Sequence, residues 1–97
     1  MITITYKDQG NKGRYVAHVD GHDGTGELTI SKLSDTTLIA DHTGTDDSLR
    51  GMGVAKALVE RLVADARAAG QKIVPLCPYV RAQAQKHGDA WADVIQR

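Results

Sequence analysis

The apolar residues of this chain change period once, at Arg50-Gly51-Met52-Gly53, and that switch constrains the fold more than any other feature. Before it, apolar positions alternate, as half-buried strands require. Ile2, Ile4 and Tyr6 alternate in MITITY, and Tyr15, Ala17 and Val19 in RYVAHV. Leu28 and Ile30 do so in ELTISKL, and TTLIADHT supplies a fourth segment. The linking stretches DQGNKG and DGHDGTG are short and polar, so an antiparallel meander is expected. After the switch, Ala55, Leu58, Val59, Leu62, Val63 and Ala66 recur at helical spacing, and Gly70 stands where a left-handed cap ends a helix. KIVPL then reads as a short fifth strand, and Pro78 opens a second helix running to about Lys86. In the tail DAWADVIQR, a helical turn packs Trp91 and Val94 back on the core. The expected class is mixed α/β, and the long helix can cross over to lay the fifth strand parallel to the fourth.

Ninety-seven residues make one domain, 1–97, close to the size at which a single core suffices. Twelve basic and twelve acidic residues balance, and no long basic run is present, which argues against nucleic acid as a partner. No apolar stretch approaches the roughly 20 residues that span a bilayer, and MITITYKDQG lacks the pattern of a secretory leader, so neither membrane nor export is expected. The single cysteine, Cys77, excludes an internal disulfide and a cysteine-built zinc site. A reducing cytoplasm is the expected location.

Two glycines and an arginine directly before a helix raise the question of a phosphate seat. The stretch is not a Walker A loop, whose Gly-x-x-x-x-Gly-Lys-Ser/Thr spacing is absent. Nor is it a dinucleotide fingerprint, because Lys56 stands in the third glycine's place and no acid closes the next strand. What remains can turn backbone N–H groups toward an anion at a helix N-terminus, with Arg50 adding a fork of donors. The alternative is an ordinary tight strand-to-helix turn.

Arg50, Gly53 and Ala55, after a strand and before an amphipathic helix, match Gln/Arg-x-x-Gly-x-Gly/Ala and resemble the acyl-CoA signature of the GNAT N-acetyltransferase superfamily. From ADHTGT to AQKH the chain is similar to a compact subgroup of that superfamily, through His42-Thr43 and Pro75-Leu76-Cys77-Pro78. His87 also matches, although Gly88 follows it where proline is usual. The resemblance implies a GNAT-like fold whose fourth and fifth strands splay, without the helices that larger members place between their first two strands. It implies acetyl-CoA or CoA as cosubstrate, held by Thr45, Arg50, Gly51, Met52, Gly53, Val54 and Ala55, with Tyr79 and Lys86 from the last helix. The resemblance also puts Arg81, on the same helix, where a CoA phosphate could reach it; for Arg81 and Lys86 the alternative is solvated surface. It also implies that His42 and Cys77 border the acetyl group.

An acetyl transfer needs a base for the acceptor's proton and, in one route, a nucleophile. His42 suits the first, and Cys77 suits the second if its thiol is acidified. Direct attack and an acetyl-Cys77 intermediate both remain open. The plain readings are a strand-end histidine with one structural hydrogen bond and an inert buried cysteine. His18, His22 and Asp23 lack metal-ligand spacing, so no metal is expected. With DQGNKG too short for a helix, the acceptor side is open or is completed by a homodimer mate or another protein. A bulky amine acceptor such as a protein or peptide suits that openness. The competing function is a non-catalytic acyl-CoA-binding module, a sensor or subunit; a small interaction domain is the third.

Overall fold

The computed structural model describes residues 1–96; Arg97, the end of the tail segment, lies outside the described residues. The alternating half forms β1 (Ile2–Gln9), β2 (Lys12–Val19), β3 (Thr25–Lys32) and β4 (Thr37–Thr45). A 3-10 turn at Asp47–Leu49 leads to α1 (Val54–Ala69), then β5 (Lys72–Val74), α2 (Pro78–His87) and a closing 3-10 turn, Gly88–Trp91. The sheet runs β1-β2-β3-β4-β5 in space, antiparallel except that β4 and β5 are parallel. The expected GNAT-like arrangement is therefore present. The first turn is tighter than DQGNKG suggests, because Gln9 pairs with Lys12 and leaves only Gly10 and Asn11 at the bend, with Gly10 at φ 78°.

One sheet face carries the core. Tyr15, Ala17, Leu28, Ile30, Leu38 and Ala40 meet Leu58, Val59, Leu62, Val63 and Ala66 of α1, and Val80 and Ala84 of α2 join them. The helix stops as its sequence indicates: Gly70 is left-handed, and the Gly70 and Gln71 N–H groups return to Arg67 and Ala66. Tyr15 ties sheet to helix by donating its hydroxyl to Asp65 at 2.7 Å. Burial, reinforced by that carboxylate, raises the phenol well above its ordinary range. No helix among the described residues is long and apolar enough to cross a membrane.

Beyond β4, pairing is brief, and the tail supports it from the other edge. Ile73 donates to Val94 O at 2.6 Å and accepts from Gln96 N–H at 2.8 Å, so Ile95 bridges β5 in parallel. Trp91, Val94 and Ile95 are buried, and Arg67 clamps the tail by two bonds to Asp93, of 2.7 and 2.9 Å. Hydrogen bonding from Arg67 holds the Asp93 carboxyl below its usual value. A depressed carboxyl stabilises the fold above its unfolded pKa, about 3.9, and that contribution is lost as pH falls through the folded value. Titration below about pH 4 is thus expected to loosen the tail, seen in the fluorescence of Trp91, the one tryptophan. Asp93→Asn should weaken that part of the acid response.

Candidate functional site

The start of α1 is built to expose backbone donors. A helix leaves its first N–H groups without intrahelical partners. Here the N-cap is Gly53, no side chain caps the helix, and the first turn carries no acid. Gly51 and Gly53 stand at φ 81° and 76°, and a Cβ at either would meet no atom within 4 Å. Their glycines answer to backbone conformation rather than to crowding.

This helix start opens on a cavity of about 210 Å³. Thr45, Arg50, Gly51, Gly53, Val54, Ala55 and Tyr79 all line it, so the structure gathers seven of the nine expected cofactor residues. Met52 and Lys86 are not among them. Lys86 stands two helical turns beyond Tyr79 on α2, toward the far end. Leu49 and Lys56 complete the lining and were not anticipated. Lys56 had a legible signal: a cation in a helix's first turn opposes the macrodipole unless an anion joins them. Arg50 is 83% exposed and pairs with Asp47 at 3.1 Å, so its guanidinium is held only at the surface. Partial burial raises the Tyr79 phenol, with Glu60 adding to the effect.

Beside the cavity the sheet opens. Thr37, Leu38 and Ile39 of β4 pair with Lys72, Ile73 and Val74, and one last bond joins Cys77 N–H to Ala40 O at 2.8 Å. At that point β4 carries a bulge: Ile30 faces Ala40 while Thr29 faces His42, leaving Asp41 as the extra residue. A bulge bends its strand and increases its twist. Asp41 is anchored on the outer face by Ser31, whose hydroxyl donates to it at 2.6 Å. The splay expected between the two strands begins here.

The bulge also changes which side chain meets the cysteine. Strict alternation would put His42 with Leu38 and Ala40 on the helix side. Instead Thr43 lies opposite the buried Leu28, and His42 lies opposite Thr29 on the open face. The Cys77 thiol donates to Thr43 Oγ1 at 3.5 Å. The structure therefore does not bring His42 to the thiol's side of the sheet. Its Nε2 lies over Gly44, 3.1 Å from where a Cβ there would stand.

Cys77 is buried at the N-cap of α2, ahead of Pro78. Burial pushes its thiol up, and contacts with the Thr43 hydroxyl and the backbone of Val80, Tyr79 and Thr43 outweigh that effect, leaving it below the ordinary cysteine value. Such a thiol at a helix start is suited to nucleophilic work. Of the other histidines, His87 stacks on Trp91 with ring centroids 3.9 Å apart and serves the tail.

A mixed sheet, a crossover helix with an uncapped glycine start, and a gap between the strands it joins define the GNAT class of acyltransferase folds. A family model for GCN5-related N-acetyl-transferases matches residues 14–94, and the chain belongs to that family. A GCN5-like candidate N-acetyltransferase from Staphylococcus aureus, solved by NMR, superimposes with a TM-score of 0.70 at 29% identity, over 95% of this chain and 87% of that one. No curated protein matches the sequence.

Proposed function

We propose that the protein transfers an acetyl group from acetyl-CoA to an amine. The observation that carries this reading is the uncapped α1 start, whose cavity is flanked by Arg50 and Lys56 and reaches Tyr79, two residues beyond Cys77. Backbone N–H groups of residues 53–56, the helix dipole and two cations suit a pyrophosphate. A volume of about 210 Å³ suits that group and part of a pantetheine arm, with the nucleotide on the surface. Thr45 and Tyr79 line the cavity two residues beyond Thr43 and Cys77, whose side chains are bonded to each other, and this is the direction the reading gives the arm.

The acidified Cys77 favours the route through an acyl-enzyme. Its thiolate attacks the thioester carbonyl, the carbon–sulfur bond to CoA breaks, and CoA leaves as a thiol after gaining a proton. The acceptor amine then takes the acetyl group and returns the thiolate. For an amine that approaches from the open face, His42 is the base this reading assigns to its proton. In the direct route the amine attacks acetyl-CoA itself, and Cys77 is only a neighbour. A cytoplasmic location fits a thiol that must stay reduced.

Thermal denaturation with acetyl-CoA, CoA, ATP and NAD tests the cosubstrate. Ligand at a hundred times its dissociation constant adds about 2.7 kcal/mol, a rise of roughly 10–20 °C for a domain this small. Stabilisation by acetyl-CoA and CoA, and not by ATP or NAD, is the expected result; no shift with millimolar acetyl-CoA would overturn the reading. A non-catalytic binding module would show the same shift but no acetylated product.

A further inference from the structure

The open face of the sheet carries charged side chains that the CoA cavity does not use. Two hollows lie there, of about 370 and 360 Å³, and they share Arg14 and Thr25 as walls. The second touches Thr45, whose side chain turns to the other face of the sheet and lines the cavity at the start of α1. Together they form a trough on the open face from β1 to the end of β4, the strand whose other face borders the proposed CoA seat. Four strands span about 14 Å, the reach of roughly four extended residues.

The trough is polar along its length in a definite sense. At its inner end stand Glu27 and Asp46, over a floor of Gly44 on which the His42 ring lies. Arg14 occupies only Glu27 Oε2, at 2.6 Å, and the Thr25 N–H occupies only Asp46 Oδ2, at 2.7 Å. Among the described residues no hydrogen bond is made to Glu27 Oε1 or Asp46 Oδ1. Toward the outer side stand Lys7 on β1 and His18 on β2, both exposed, with neither side chain in an ion pair or hydrogen bond among the described residues. One end suits an ammonium group, the other carboxylates.

We infer that the acceptor is a peptide whose primary amine is followed by acidic residues, its ammonium entering between Glu27 and Asp46 beside His42 and its carboxylates lying toward Lys7 and His18. The inference rests on the acetyl-transfer reading. His42 takes one proton from the ammonium; the freed nitrogen bonds to the acetyl carbon as the carbon–sulfur bond breaks, and releases its second proton to solvent. The sulfur keeps the electron pair and is reprotonated from solvent. Exposed charges of this kind contribute modestly each and are screened by salt, so the preference is a low-salt property.

Three peptides of equal length test it, each with a free N-terminal alanine amine followed by three glutamates, three serines or three arginines. With acetyl-CoA at low salt, kcat/KM is expected to fall in that order, by about tenfold from glutamate to arginine. Lys7→Glu should reverse the order of the acidic and basic peptides. Equal rates for all three, an order unchanged in Lys7→Glu, or better use of small free amines than of any peptide would overturn the inference. Amide shifts of Lys7, His18 and Glu27 on adding the acidic peptide give a readout that needs no turnover. Shifts without acetylation support the docking assignment while refuting the acetyl-transfer reading; no shifts refute the docking assignment, whatever the activity.

Discussion

Replacing both Gly51 and Gly53 by valine is expected to abolish the thermal stabilisation given by acetyl-CoA and to lower the stability of the free protein as well. Both positions hold φ near 80°, a region costly for any residue with a Cβ and most of all for a β-branched one. Strain of roughly 1–2 kcal/mol at each predicts a fall in melting temperature of about 10–25 °C. The chain escapes that strain by rotating to negative φ, which turns the N–H groups at the start of α1 away from the cavity. A control separates strain from binding: Gly10→Val meets the same backbone problem at φ 78° in the β1–β2 turn, away from the cavity. It should destabilise the protein and keep the acetyl-CoA shift. If the double variant retains a full shift, the glycines serve only the turn.

Cys77→Ala is expected to lower turnover by about a thousandfold or more, and to abolish acetyl incorporation into the protein during reaction with acetyl-CoA. The thiol lies below the ordinary cysteine value, so its alkylation by iodoacetamide should reach half-maximal rate at lower pH than a free thiol's. Thr43→Val removes the hydroxyl at 3.5 Å and should move that midpoint upward, while Thr43→Ser retains it. Stability follows the same sign. A thiol whose pKa is depressed by folding stabilises the protein above the unfolded value, about 8.5, and the contribution disappears as pH falls through the folded value. Cys77→Ala should therefore lose part of any gain in stability between neutral pH and about pH 9. Turnover near wild-type levels in Cys77→Ala would establish direct attack by the amine.

Much of the frame was legible because periodicity reports burial. Leu58, Val59, Leu62, Val63 and Ala66 occupy the helix face their spacing assigns, and Tyr15, Ala17, Leu28 and Ile30 face them from the sheet. Gly51, Gly53 and Gly70 are left-handed, as a glycine turn and a helix end require. The faces of β4 beyond Ala40 were not legible. ADHTGT has no apolar residue after Ala40 whose burial would betray a slip in alternation, so the bulge at Asp41 leaves no mark in the pattern. His42 and Thr43 consequently exchange the faces that simple alternation gives them. The tail shows a similar limit: Trp91 and Val94 were readable as apolar anchors, whereas a single backbone bridge at Ile95 produces no period. Lys56 leaves only the weak signal of a cation in a helix's first turn, since charge off the apolar stripe looks like solvated surface until the cavity is seen beside it.

The bulge has a consequence at the level of insertion and deletion. Asp41 is one residue more than β3 can pair, and the strand absorbs it without altering the faces of His42 and Thr43, which a regular strand lacking Asp41 would present in the same way. What such a deletion would remove is the bend. Without it, β4 would run straight on past its last tie at Ala40, beside a segment that cannot lengthen the ladder because Pro75 has no N–H and α2 begins at Pro78. Loss of a single codon would then leave every chemical group of the site in the chain and alter the course of the strand that spaces them.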